Sequence, residues 1–101
     1  QDDGSFKTDY RGRLLIPTRF LRKVSLNPED IVYVISNNGN ILLSAVLDSN
    51  QTMVTTQKVE RDGDIRLSKN SLTQAGFQCD RFLIEEFEVG QQPVVRVSKA
   101  N

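Results

Sequence analysis

Thr8-Asp9-Tyr10-Arg11-Gly12-Arg13-Leu14-Leu15-Ile16-Pro17, continued by Thr18-Arg19-Phe20-Leu21-Arg22-Lys23-Val24, is the stretch that decides the fold of this chain. Gly12 stands between two arginines in a polar run, the signature of a turn. Leu14 to Ile16 is apolar and long enough for a short strand. Pro17 fits the first position of a helix, because its missing N–H would find no intrahelical partner there anyway. In the helix that follows, Phe20, Leu21 and Val24 fall on one face, while Arg19, Arg22 and Lys23 fall on the other. Strand, glycine turn, strand and short helix therefore place arginines on the surface and build a core from the apolar residues between them.

Upstream, residues 6–9 read as a strand, and the polar residues 1–5 as a disordered start. The chain opens on Gln1 rather than methionine, which reads as a trimmed N-terminus. Downstream, Leu26 docks behind the helix and residues 27–30 (Asn-Pro-Glu-Asp) form a turn. Residues 31–35 are a β-branched strand. Asn37-Asn38-Gly39-Asn40 signals a hairpin, and residues 41–45 return as its partner. A polar bridge ends at Gln51. The same order then recurs 51 positions on. Gly63 stands for Gly12, Ile65 and Leu67 for Leu14 and Ile16, Leu72 and Ala75 for Leu21 and Val24, and Phe77 for Leu26. Residues 82–84 match 31–33, and a last hairpin turns through residues 89–93 into a closing strand over 94–97.

At 101 residues with 38% hydrophobic content, two independent cores are not expected. The pattern predicts a mainly β fold with short helices in two units (6–47 and 52–101), interlocked or oligomeric. Formal net charge is zero, which excludes nucleic-acid binding through bulk charge but not through a local patch. There is one cysteine, Cys79, and no histidine, so an internal disulfide, the usual zinc or haem sites and a Ser-His hydrolytic pair are all excluded. No P-loop or dinucleotide fingerprint is present. No apolar run has membrane-spanning length and no signal peptide appears. A reducing, cytoplasmic setting suits the free cysteine. No cofactor and no enzymatic activity are expected.

The residues Asp9, Arg11-Gly12-Arg13, Leu15-Ile16-Pro17, Phe20-Leu21-Arg22, Leu26, Pro28, Asp30, Val32-Tyr33-Val34 and Gly39 to Leu43 resemble the AbrB/SpoVT family of swapped-hairpin, or looped-hinge, regulators. That family's line runs D-x-x-G-R-[IV]-x-I-P, a short "LR" helix, L-x-x-G-D, then a hairpin. Glu29 departs from it, standing where the family has glycine. The second copy keeps Arg61-Asp62-Gly63-Asp64-Ile65 and Leu72 but little else of the signature. The tandem arrangement is similar to the MraZ-like branch. The resemblance implies two swapped-hairpin units interleaved in one small β-barrel, as a homodimer or an intrachain pseudo-dimer, that presents basic loops and helices to DNA. It makes Asp9 and Asp30 structural turn residues.

Residues 7–26 hold six cations, Lys7, Arg11, Arg13, Arg19, Arg22 and Lys23, against one acid, Asp9. Such a segment can neutralise phosphates and release counterions, and arginine can fork onto phosphate or guanine. The resemblance puts these cations on or near the DNA face, with Tyr10 a candidate for stacking on a base. In the second copy Asp62, Asp64, Asn70, Thr73 and Gln74 replace five of those cations, so it reads as a structural partner. Glu85, Glu86 and Glu88 read as a solvated or edge strand. The expected function is transcriptional regulation by binding double-stranded DNA through the basic loop and helix of the first repeat. The alternatives are an antitoxin-like or scaffolding module for a protein partner, and a degenerate oligomerisation domain without DNA binding.

Overall fold

The structure, a computed structural model, describes residues 4–100. Ten elements follow along the chain. They are β1 (Phe6–Lys7), β2 (Leu14–Ile16), α1 (Thr18–Lys23), β3 (Ile31–Asn37), β4 (Asn40–Ser44), β5 (Thr52–Lys58), β6 (Ile65–Leu67), α2 (Lys69–Gln74), β7 (Arg81–Val89) and β8 (Gln92–Lys99). The fold is mainly β with two short helices, as the sequence predicts. Part of the expected disordered start, residues 1–3, lies outside the described residues. Ser5 is half-buried, and its Oγ accepts a hydrogen bond from Arg81 Nη1 at 3.2 Å.

Six strands form a curled sheet, half of a barrel, in the order β1-β7-β8-β4-β3-β5, and β2 pairs with β6 in a separate ribbon. The order is a palindrome under exchange of the two halves. β1 leaves its own half to pair with β7, β5 leaves its own half to pair with β3, and β4 meets β8 at the centre. The ribbon has the same symmetry, with Leu14 opposite Leu67 and Ile16 opposite Ile65. Every strand pair that joins the halves is antiparallel, so neither half completes a sheet without the other.

The main core runs through both halves. Leu14, Ile16, Leu21, Leu26, Val32, Val34, Ile65, Leu67, Phe82 and Val97 are all essentially fully buried in it. Alternation in the strands explains the choice: β2 and β6 each bury their outer residues and turn the middle one, Leu15 or Arg66, outward. A smaller cluster of Ile35, Leu42 and Val94 lies on the opposite face of the sheet. Both helices end alike. The N–H of Leu26 bonds the carbonyl of Leu21 at 2.9 Å, and that of Phe77 bonds Leu72 at 3.0 Å, each across a left-handed residue. Glycine fills that position in the second half (Gly76, φ 98°), whereas Ser25 takes it in the first (φ 64°).

Three details differ from the sequence reading. Pro17 is the N-cap of α1 with extended backbone, not its first helical residue, so the helix starts one residue later. The last turn is shorter than expected: β7 and β8 pair down to Val89 opposite Gln92, and Pro93 lies inside β8 opposite Glu88. β4 pairs only with Val95 to Val97, so the N–H that Pro93 lacks faces no strand on that side. Third, the repeat slips by one residue before β7. Phe82 and Ile84 are buried where Val32 and Val34 are, while Ile31 is 49% exposed. The strand partners agree, since Phe6 faces Phe82 as Gln57 faces Val32. The connection after α1 carries one extra residue, and within it Glu29 adopts φ 75°, a left-handed conformation uncommon for a residue other than glycine.

Candidate nucleic-acid interface

The first turn is built by Asp9. Its Oδ1 accepts from the backbone N–H groups of Arg11 and Arg13, both at 2.9 Å, and its Oδ2 accepts from Arg13 Nε at 2.9 Å. The backbone closes the turn, with Asp9 N–H to Arg13 O at 2.8 Å and Gly12 N–H to Asp9 O at 2.9 Å. The Arg13 N–H, foremost among these donors, holds the Asp9 carboxyl below its ordinary value. Asp9 is thus a turn-forming residue, as the sequence suggests, and Arg13 is half-exposed and tied to it. Arg11 and Tyr10 project from the tip. Tyr10 is 87% exposed, with the Arg11 guanidinium 5.5 Å from its ring centre.

The second turn repeats the backbone plan. Glu60 N–H bonds Asp64 O and Gly63 N–H bonds Glu60 O, both at 2.9 Å, while Asp62 Oδ1 accepts from Asp64 N–H at 3.1 Å. Glu60 replaces Asp9 and pairs with Arg66 at 2.6 Å. This carboxylate holds the Arg66 guanidinium more firmly protonated than usual.

Each turn packs against the helix of the other half. A Cβ on Gly12 would lie 3.0 to 3.2 Å from the stem of Lys69, the first residue of α2, and one on Gly63 would collide with Thr18 Oγ1, the first residue of α1. Both glycines have positive φ as well, so the close approach and the backbone each call for glycine. The Asp64 Oδ1 accepts from Thr18 N–H at 3.0 Å. Pro17 gives α1 no side-chain cap, so the second half supplies one. α2 caps itself, through Ser68 Oγ and the Ser71 N–H at 3.1 Å.

This exchange divides the six predicted cations. Arg11 and Arg13 lie at the α2 end of the ribbon, and Arg19, Arg22 and Lys23 lie on α1 beside the acidic second turn. Arg19 is exposed and lies over aromatic rings, 4.8 Å from the Phe20 centre and 5.8 Å from that of Phe6. Arg22 is exposed with no carboxylate partner among the described residues. Lys23 is 4.0 Å from Glu86 of β7, so that glutamate faces a cation rather than solvent alone. Lys7 is exposed, but Phe6 packs edge-on against Phe20 of α1, and alternation along β1 points Lys7 to the other side of the strand. Lys7 therefore stands apart from the helix.

The cations that accompany Arg11 were not legible as such in the sequence. Lys69 lies in the second copy, 57 positions from Gly12. Only the reciprocal packing of turn on helix shows that it sits beside Gly12. Among the described residues no group of three or more His, Cys, Asp or Glu side chains is placed to hold a metal ion, and no helix is long and apolar enough to cross a membrane. No family model, curated protein or solved structure matches this chain.

Proposed function

We propose that this protein binds double-stranded DNA through the cations of its first repeat, as a transcriptional regulator of the AbrB-like kind. The observation that carries the reading is the state of the arginines. Arg11, Arg19 and Arg22 project from a turn and a helix without a carboxylate partner among the described residues, whereas Arg13, Arg66 and Arg96 are each bonded to an acid within 3 Å. Unpaired exposed cations keep their full charge for phosphate, and the short helix α1 carries two of them, Arg19 and Arg22, with no acidic residue in its first turn. Because the chain as a whole is neutral, the surface outside residues 7–26 is net acidic and adds no bulk attraction.

The test is duplex binding followed by fluorescence anisotropy at several salt concentrations. The Arg11→Gln/Arg22→Gln double variant removes two charges and leaves the turn hydrogen bonds and the core in place. Affinity should fall about tenfold or more and the salt slope should become shallower by about two. An unaltered slope, or a wild-type chain that binds no duplex at low salt, would refute the proposal.

A further inference from the structure

We infer that the contact made by the first turn is completed by the second half: Lys69 of α2 contacts DNA phosphate together with Arg11, with Thr73 lining the same cleft. The inference rests on the DNA-binding reading above and assigns residues that the first repeat does not contain. Its starting point is the packing of Gly12 on the aliphatic stem of Lys69, which sets that side chain against the turn from which Arg11 projects. Lys69 and Thr73 are four apart on α2 and so share a face. Both are exposed, and both line a shallow cleft of about 360 Å³ with Gly12 and Thr8. No ion pair engages Lys69 among the described residues.

Charge decides which end of the ribbon leads. Turn residues 9–13, helix α2 and the cleft between them carry three cations, Arg11, Arg13 and Lys69, against two acids, Asp9 and Asp80, the latter also lining the cleft. At the other end, the four cations of residues 60–64 and α1 face Glu60, Asp62 and Asp64, and also Glu29 and Glu86, which pair with Arg61 and Lys23. The swap thus places the acid-bearing turn beside the basic helix and the basic turn beside a helix with no acid. Phosphate meets the less opposed field at the first-turn end, while α1 adds its arginines from the other. One chain then offers two unequal contacts, led from the first-turn end.

The experiment compares wild type, Lys69→Met and Arg22→Gln by duplex anisotropy across a salt series, with thermal melts on each. Methionine keeps a stem against Gly12 and removes only the charge. The inference expects Lys69→Met to melt as wild type, to bind several-fold more weakly at low salt, and to lose about one from the salt slope. Lys69→Arg should restore both. If wild type and Lys69→Met bind with equal affinity and slope while Arg22→Gln weakens binding, DNA binding stands and the role of Lys69 is refuted. If wild type binds no duplex, both readings fall.

Discussion

Asp9 shows how much one side chain does in a ten-residue signature. Its two oxygens receive three donors from Arg11 and Arg13, which fixes the tip that carries the exposed arginine. Those donors favour the charged carboxylate, so its folded pKa lies below the ordinary 3.8. A depressed folded value means the stabilisation is complete above 3.8 and is lost as pH falls below it through the folded value. Asp9→Asn keeps an acceptor for the two backbone donors but cannot titrate. In acid unfolding followed by circular dichroism, the variant should lose less stability than wild type between neutral pH and pH below 3.8. An identical acid profile would show that the carboxylate charge contributes nothing there. Glu29 likewise holds a left-handed backbone (φ 75°), a conformation that glycine adopts more readily.

The elements were largely legible from the sequence, and their partners were not. Apolar periodicity finds both helices, the Asn38-Gly39 hairpin and the short strands around Gly12 and Gly63, because each depends on local chemistry. The slip before β7 escapes it, since a one-residue shift matches apolar residues almost as well and only burial of Phe82 against exposure of Ile31 reveals it. The pairing of each turn with the opposite helix also escapes it, because that contact joins residues about fifty apart. Asp62 and Asp64 read in sequence only as replacements for Arg11 and Arg13, yet Asp64 caps α1 across the molecule. Asp64→Ala should therefore cost about 1 kcal/mol, the usual worth of an N-cap, and lower the melting temperature by roughly 4–8 °C. Asp62→Ala, which removes only a bond within its own turn, should cost less. Equal losses in calorimetry would contradict the cross-capping.

At the scale of the whole molecule, the exchange of β1 and β5 answers the difficulty posed by a short chain with modest apolar content. Both halves contribute strands to one sheet and side chains to one core, so neither needs a core of its own. The same exchange sets the two turns at opposite ends of the β2–β6 ribbon and gives them different charge. That asymmetry, in a chain neutral as a whole, is what the DNA-binding proposal uses. Its most direct test is a nuclear magnetic resonance titration of the isotope-labelled chain with a short duplex at low salt. The account predicts amide shifts concentrated at Tyr10 to Arg13, along α1 and at Lys69 to Thr73, with the opposite sheet face around Ile35, Leu42 and Val94 unmoved. Shifts centred on that sheet face, or none at all on adding duplex, would contradict it.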